Sequence, residues 1–421
     1  MGSQEVSTAH QRYFLWETNL GEGFSMRRNA FLRAAVLLRK VQLVEDDKGS
    51  NTEWTLVLPP MTSHGWMNHH ADNGRSRGFL PWGKFLDLDA MRKIHPRIIE
   101  IDEYMKLHPH DDEKHINATV LAKVCDGTKP DCHCTMDKVV KWPGVGGFQR
   151  RAEKKGDVEE CVEHPLLFGI TKVSFPHQLV CLPDRWMEAD DPKIVGAMLQ
   201  KGTRDSVYFH DKEQMVDRNH RFWEVRKHVP YSNHLVKAAR LFQKRQFNNK
   251  AYLALHLRRG DFLQAHPGLV PSLLEVVRII KTQLTEMDVS DVFIATDGTL
   301  GRGHGAHSDV EYINKRLPKG MKASQLYGTN QDGEFHMGEF ALIEQIIAAE
   351  ADYFIGTQSS MFTDLVLQER AIHGRDVSIS ALFEAEGDVG YERKRAPGSD
   401  GVLRHRGYDA KGHLAEPYNL D

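Results

Sequence analysis

Apolar and polar residues follow one another along the first part of the chain in blocks that predict strands and helices in turn. A strand at Tyr13–Trp16 precedes a helix from about Met26 to Val44, and a second strand follows at Trp54–Leu58. This strand–turn–helix–strand order indicates the start of an α/β sandwich. The apolar positions of the helix recur at helical spacing; they are Phe31, Ala34, Ala35, Leu38 and Val41.

The second half repeats the alternation more regularly. Apolar runs at Tyr252–Leu257, Asp291–Thr296 and Tyr353–Gly356 have the length and composition of buried strands. Helical patterns separate and follow them, the last two at Met337–Ala351 and Ser360–Ala371. Strands and helices that alternate at this spacing predict a doubly wound parallel sheet.

These patterns predict two α/β domains and a tail. We expect a first domain over residues 12–247, a second over 248–384 and a flexible tail over 385–421, since the polar run at 247–250 precedes the strongest strand. Residues 108–157 are polar and rich in Lys, Asp, Gly and Cys, which indicates a surface excursion of the first domain. Residues from 191 to about 246 have helical patterns.

Composition and charge narrow the classes of function. With 421 residues and 40% apolar content, the chain has enough material for a sizeable core. The 55 basic and 58 acidic residues give a net charge of −3, so the chain as a whole is not a nucleic-acid binder and an anion site would be a local basic pocket. No apolar run approaches the roughly 20 residues of a membrane span, and no signal peptide is visible at the start.

The five cysteines allow two interpretations. A zinc site at Cys125, Cys132, His133 and Cys134 is conceivable, but the spacing is not that of a standard finger. Disulfides fit better, with Cys161–Cys181 as one pair and Cys125 joined to Cys132 or Cys134. Asn117-Ala118-Thr119 is a glycosylation sequon, which agrees with a secretory setting.

Candidate ligand-binding residues lie where the strands of the second half end, because open α/β sheets bind ligands beyond the carboxyl ends of their strands. Arg258 and Arg259 follow one strand. Either both pair with carboxylates such as Asp261, or they form a guanidinium fork that grips a diphosphate. Another strand leads to Ser360 at a helix start, which could be an N-cap, an anion site or both. Neither GxGxxG nor a P-loop is present, which disfavours dinucleotide enzymes and NTPases.

Two carboxylates stand in unusual settings. Glu344 falls on the apolar face of a predicted helix, where it needs a partner; we consider a structural ion pair and, alternatively, a carboxylate that reads a guanine edge. Glu22 stands between Gly21 and Gly23 after the first strand. It is either a solvated loop residue or a general base.

These segments, in this order, resemble the GDP-fucose protein O-fucosyltransferases, in particular the branch that modifies thrombospondin type 1 repeats. The resemblance covers residues 12 to about 371. The segments that carry it are Asn19-Leu20-Gly21-Glu22-Gly23-Phe24-Ser25, Leu56-Val57-Leu58-Pro59-Pro60, His256-Leu257-Arg258-Arg259-Gly260-Asp261-Phe262, Phe293-Ile294-Ala295-Thr296-Asp297 and Phe354-Ile355-Gly356-Thr357.

The resemblance implies a GT-B fold, in which two Rossmann-like domains face a cleft, and inverting fucose transfer from GDP-fucose without a metal. It implies that Glu22 is the base and that Arg258 holds the diphosphate. It further implies a Cys161–Cys181 disulfide, a location in the endoplasmic reticulum lumen and folded, disulfide-rich acceptor repeats. The expected donor contacts are Gly21, Glu22, Gly23, Phe24, Ser25, His256, Leu257, Arg258, Glu344, Ser360, Met361 and Phe362, with Asp261 and Asp297 as further candidates.

The chain also departs from the family pattern. Gly21 replaces a proline, Ser25 an asparagine, Glu344 an aspartate and Met361 a threonine, which puts individual nucleotide contacts in question. Transfer to EGF-like repeats or glycans is the alternative enzymatic function, and a non-catalytic chaperone for cysteine-rich repeats is the alternative from another class. Asp87-Leu88-Asp89 has the look of a metal motif, but we interpret it as surface because the matching context is missing.

Overall fold

The computed structural model describes the strands and helices of two α/β units. The described residues are 10–17, 24–59, 61, 80–108, 115–117, 120–124, 153–155, 158–160, 162–167, 170–174, 178–182, 206–210, 225–260, 262–265, 270–298, 304–326, 335, 337–358, 360–375, 380–383 and 402–403. The two compact units divide between Pro230 and Tyr231.

The first unit is built on a parallel sheet. Its strands are β1 (His10–Glu17), β2 (Thr52–Leu58), β3 (Ile98–Glu100), β4 (His115–Asn117), β5 (Val120–Val124), β6 (Glu153–Lys155), β7 (Val158–Glu160), β8 (Val162–Leu167), β9 (Ile170–Ser174), β10 (Gln178–Leu182) and β11 (Ser206–His210). Six of them form the main sheet in the order β10-β5-β11-β1-β2-β3, with every neighbouring pair parallel. The order reverses at β1, which has β2 on one side and β11 on the other.

The helices of the first unit are α1 (Phe24–Asp47), α2 (Leu88–Met91) and α3 (Ile101–Leu107), with a 3₁₀ turn at Trp82–Lys84. The predicted apolar face of α1 is confirmed, since Phe31, Ala34, Ala35, Leu38 and Val41 are fully buried. The Phe31 ring packs against Trp16 of β1 and against Trp82, with ring centroids 6.0 and 5.5 Å away. This aromatic contact fixes α1 on the sheet that β1 helps to form.

Two expectations for the first unit are wrong. Residues 108–157 are not wholly a surface excursion, because β5 is an interior strand that pairs with both β10 and β11. Residues 191–246 are not uniformly helical, because β11 lies between β5 and β1. Both strands are runs of five residues inside polar sequence, too short to dominate the pattern of a wider window.

The second unit also has a six-stranded sheet. Its elements are α4 (Asn233–Phe247), β12 (Tyr252–Leu257), α5 (Phe262–Ala265), α6 (Leu273–Glu286), β13 (Asp291–Thr296), α7 (His304–Asn314), β14 (Lys322–Ser324), α8 (Met337–Glu350), β15 (Tyr353–Gly356), α9 (Met361–Ile372), β16 (Ser380–Phe383) and β17 (Val402–Leu403). The order is β14-β13-β12-β15-β16-β17, and all pairs are parallel except β16 with β17.

The order of this sheet reverses between β12 and β15, because the chain leaves β12 toward β13 and β14 and later returns to the other side of β12. A sheet of this kind binds ligands in the crevice beyond the carboxyl ends of its strands at such a reversal. Leu253 and Leu255 of β12 pack in a buried apolar cluster with Val276 and Ile280 of α6. That core holds the strand ends in place.

The structure differs from the expected segment limits at two points. The boundary expected after Phe247 lies at Pro230 instead, because α4 packs on the second unit: its Phe242 ring lies 5.7 Å from that of Phe293 in β13. The expected flexible tail contains β17, which adds an antiparallel strand to β16. That part of the tail belongs to the second sheet.

Candidate active site

The candidate site of the second unit begins where β12 ends. Parallel pairing places His256 beside Gly356 of β15 on one side and beside Ala295 of β13 on the other. The residues that follow these three strands therefore meet at one edge of the sheet, at the reversal of strand order. Arg258, Asp297 and Thr357, which directly follow the three strands, lie at this edge.

Thr357, which follows β15, holds the end of β12. Its backbone amide and its hydroxyl both donate to the carbonyl oxygen of His256, at 3.0 and 2.9 Å, and its Oγ1 accepts a hydrogen bond from the Arg258 amide at 2.9 Å. Thr357 is fully buried. One hydroxyl thus fixes the backbone on both sides of Leu257.

Asp297, which follows β13, holds the same segment from the other side. Its Oδ1 accepts a hydrogen bond from the Arg259 amide at 2.7 Å, and its Oδ2 lies 2.8 Å from Nη1 of Arg258. The Thr296 hydroxyl donates to the Leu257 carbonyl oxygen at 2.8 Å. The turn after β12 is therefore tied to both neighbouring strands.

The two adjacent arginines have different environments. The Arg259 side chain is 7% exposed; its Nε lies 3.2 Å from Oδ2 of Asp309, and its Nη1 donates to the Pro271 carbonyl oxygen at 2.8 Å. The Arg258 side chain is 36% exposed, and its guanidinium carbon lies 5.5 Å from the centre of the Phe262 ring. Arg259 is therefore a structural cation, and Arg258 is the one that an anion can reach.

His256 is buried and neutral. Burial and the neighbouring Arg258 charge lower the pKa of its imidazole to about 3. Its Nδ1 lies 2.8 Å from Oγ1 of Thr363, and its ring stacks on Phe362 with centroids 4.2 Å apart. The Leu257 side chain belongs to the buried core, so a ligand contact at that position would use the backbone.

Ser360 occupies the N-cap position of α9 and is buried, with an extended backbone. Within the described part of this helix start, its side chain makes no capping hydrogen bond. Met361 and Phe362 follow in the first turn and are half-buried. This helix start lies close to β15, because a Cβ at Gly356 would come within 2.3 Å of Thr363 Cγ2.

Glu344 lies on α8 between the buried Ile343 and Ile347. Burial, and to a smaller extent the charge of Asp297, raise the pKa of its carboxyl to about 8. The carboxyl is therefore mostly protonated at neutral pH. Asp297 therefore acts electrostatically on Glu344 as well as on Arg258.

In the first unit, the structure describes only some of the predicted site residues. Gly21, Glu22 and Gly23 lie outside the described residues, between β1 and α1. Phe24 is 2% exposed and its ring lies 5.9 Å from that of Phe85, so its side chain is a core group, whereas Ser25 is half-buried. Arg27 and Arg28 of α1 are buried.

Several other predicted residues have no described side chain. Asp261 and Cys161 lie outside the described residues, as do Cys125, Cys132 and Cys134, while Cys181 belongs to β10 and Asn117 to β4. The disulfide and glycosylation assignments stay predictions.

Asp87 has a structural role that the sequence pattern did not indicate. Its carboxylate accepts hydrogen bonds from the amides of Asp89 and Ala90 at 3.0 and 3.1 Å, which caps α2. Among the residues described, no three His, Cys, Asp or Glu side chains cluster as metal ligands would. None of the described helices combines the length and apolarity needed to cross a bilayer.

Comparison with known proteins identifies the family. The family model for "GDP-fucose protein O-fucosyltransferase" matches residues 13–373. The chain belongs to this family. The sequence-based assignment is thereby confirmed, together with the transferase class that it implied.

Members of this family from several animals are similar to the chain over most of its length. GDP-fucose protein O-fucosyltransferase 2 of Homo sapiens is 25% identical over 414 residues, which cover 88% of this chain and 85% of that protein. The protein of the same name from Caenorhabditis elegans is 24% identical over 398 residues, with the same coverage of both chains. The one from Drosophila melanogaster is 24% identical over 409 residues, covering 86% of this chain and 77% of that protein.

Solved structures support the fold. POFUT1 in complex with GDP-fucose superposes with a TM-score of 0.58 at 16% identity, covering 91% of this chain and 100% of that chain. POFUT1 in complex with GDP gives a TM-score of 0.57 at 16% identity, covering 88% and 98%. The prediction of an α/β fold of the GT-B class is confirmed.

The sequence predicts Arg258 and His256 as site residues but does not point to all the residues that contact them. Thr357 and Thr363 form hydrogen bonds with Arg258 and His256, and Asp309 pairs with Arg259, the neighbour of Arg258. Thr357 directly follows a predicted strand, and this position is a usable signal. Asp309 lies in a helix 50 residues from Arg259, and no local pattern points to that pairing.

Proposed function

We propose that the protein transfers fucose from GDP-fucose to a Ser or Thr hydroxyl of a folded thrombospondin type 1 repeat, with inversion at the anomeric carbon. The family match carries this proposal. The exposed Arg258 at the reversal of the second sheet supports the donor part of it, because a guanidinium there suits a diphosphate.

In the proposed reaction, residues of the second unit stabilise the leaving group, GDP. As the bond between the anomeric carbon and the β-phosphate oxygen breaks, its electron pair stays on GDP and negative charge grows on the phosphate. Arg258 donates to that phosphate, and the amides at the start of α9 near Ser360 add a positive helix end. One such donor set is worth a few kcal/mol of transition-state stabilisation.

The neutral His256 and the protonated Glu344 fit roles in donor binding. A neutral imidazole adds no charge next to Arg258, and its Nδ1 is already held by Thr363, so its Nε2 is the nitrogen left to face a ligand. We propose that Glu344 contacts the guanine base: the carbonyl oxygen of its protonated carboxyl can accept from the N1–H of the base, and its hydroxyl can donate to O6. Phe362 supports this pocket by stacking on His256. Gly23, Phe24 and Ser25 complete the donor contacts in the proposal, with Phe24 using its backbone.

We propose Glu22 as the general base. It removes the proton from the acceptor hydroxyl as the oxygen bonds to the anomeric carbon on the face opposite GDP, a contribution of about 10²–10⁴-fold. Glu22 lies in the segment after β1, the strand at which the order of the first sheet reverses, which supports a site at that edge.

The acceptor and the compartment belong to the same proposal. A folded, disulfide-bonded acceptor requires an oxidising compartment, for which we propose the lumen of the endoplasmic reticulum, and the sequon at Asn117 agrees with it.

The test is to incubate the protein with GDP-fucose and either folded or reduced repeats of the thrombospondin and EGF types, and to read fucose addition by mass spectrometry. We expect addition to the folded thrombospondin repeat alone. Equal modification of the reduced repeat, or modification of the EGF repeat alone, would contradict the proposed acceptor.

A further inference from the structure

Asp297 makes contacts that a donor-binding residue does not need. Its two carboxylate oxygens contact two neighbouring residues. Oδ1 accepts a hydrogen bond from the Arg259 amide at 2.7 Å, and Oδ2 lies 2.8 Å from Nη1 of Arg258. Both contacts act on the turn that follows β12. The carboxylate therefore sets the backbone of this turn and the direction of the Arg258 side chain together.

The turn is built closely around this carboxylate. A Cβ at residue 260 would lie 2.5 Å from Asp297 Oδ2, so a larger residue there would displace this carboxylate. The Gly260 amide donates to the Gly298 carbonyl oxygen at 3.1 Å, and the Gly298 amide donates to Thr296 Oγ1 at 3.1 Å. Gly298 has a φ of 76°, a conformation that favours glycine. Asp297 is thus itself held by the residues on both sides of it.

The pairing leaves Arg258 able to bind an anion. The contact with Asp297 is made through Nη1 of the guanidinium. The side chain keeps 36% of its surface exposed, and its position over Phe262 restricts its motion further. An arginine fixed in this way loses less conformational freedom when it binds a phosphate.

We infer that Asp297 is a positioning residue, which holds the Arg258 guanidinium in the orientation that stabilises a departing diphosphate. This inference rests on the proposed function. It assigns Asp297 a role through Arg258 rather than a contact with the donor. A simple charge argument makes the opposite prediction, since removing a negative charge beside an anion site should strengthen GDP binding and leave turnover intact.

Asp297→Asn separates these two roles. The asparagine oxygen can still accept the Arg259 amide, but the neutral side chain no longer holds the guanidinium. We expect kcat to fall about 10–100-fold, because small errors in position are costly in catalysis, while KM for GDP-fucose changes less than about threefold. An unchanged kcat together with tighter GDP binding would overturn the inference.

A double-mutant cycle identifies the residue through which Asp297 acts. If Asp297 acts through Arg258, Asp297→Asn combined with Arg258→Lys should be no slower than Arg258→Lys alone. Asp309→Asn is the matched control, because it removes the carboxylate partner of the neighbouring Arg259. Its effect should add fully to that of Arg258→Lys. Full additivity for Asp297 as well would overturn the inference.

Two further measurements keep the test decisive. Should Asp297→Asn fail to fold, ¹⁵Nε relaxation of Arg258 in the parent protein replaces it: a rigid side chain without GDP is expected, and a mobile one overturns the inference. Should the parent transfer no fucose, the proposed function fails, and the same cycle is read from GDP affinity by calorimetry. There, coupling between Asp297 and Arg258 supports the inference, and its absence overturns it.

Discussion

Glu344→Gln tests directly whether the Glu344 carboxyl is protonated in the folded protein at neutral pH. The pKa of Glu344 is about 8 in the folded protein, against an ordinary value of 4.5, because burial and, to a smaller extent, the charge of Asp297 disfavour its ionised form. A raised pKa means that the folded state binds the proton more tightly than the unfolded state does. The contribution of Glu344 to stability is therefore complete below pH 4.5 and is lost as the pH rises through 8.

The size of this effect follows from the shift. Each pH unit between 4.5 and 8 costs the parent about 1.4 kcal/mol of unfolding free energy, because the carboxyl resists ionisation in the folded state. Between pH 5 and pH 8.5 this adds up to about 4 kcal/mol. Glutamine has the shape of the protonated carboxyl and does not titrate, so Glu344→Gln does not suffer this loss.

The assay is urea unfolding of the parent and Glu344→Gln at pH 5, 7 and 8.5. We expect the variant to gain stability over the parent steadily as the pH rises. Glu344→Asp is the matched control, since it keeps a carboxyl group and should keep the pH dependence of the parent. A difference between the parent and Glu344→Gln that stays constant from pH 5 to 8.5 would refute the reasoning.

Three further predictions concern the edge of the second sheet. Gly356→Ala should lower the melting temperature by several degrees, because its Cβ would lie 2.3 Å from Thr363 Cγ2 and overpacking costs about 1–3 kcal/mol; an unchanged melting temperature would count against the packing described. Thr357→Val should lower the unfolding free energy by about 1–3 kcal/mol, because it leaves the Arg258 amide without its acceptor; a value equal to that of the parent in urea unfolding would contradict this. The His256 ring should keep constant NMR shifts from pH 8 to pH 5, since its pKa is about 3, and a midpoint near 6.5 would contradict its burial. Because this folded-state pKa is depressed, His256 should cost stability as the pH falls below 6.5.

The local pattern of apolar residues is sufficient to predict the main strands of the second unit. Its strands are continuous apolar runs, and glycine, serine and proline residues mark where several of its elements begin or end, so β12, β13 and β15 were expected where they lie. Because parallel strands end at one edge, the placement of His256 and Arg258 near Thr357 also followed from the sequence.

The strands of the first unit are harder to predict from local sequence. β5 and β11 are interior strands of five residues, and the interactions that make them strands come from neighbours far along the chain. The same limit applies to the two arginines. Their sequence suggests partners for both, but only the folded chain brings Asp309 to Arg259 and leaves Arg258 exposed beside Asp297. Pairings of this kind depend on tertiary contacts that no window of sequence contains.

The most direct test of the proposed function compares the parent with Glu22→Ala in two assays run side by side, fucose transfer to a folded thrombospondin repeat and GDP binding by calorimetry. We expect the parent to transfer fucose, and the variant to bind GDP as the parent does while its transfer falls by about 10²–10⁴-fold. A parent that binds GDP but transfers nothing, or a Glu22→Ala variant that transfers at the rate of the parent, would contradict the account.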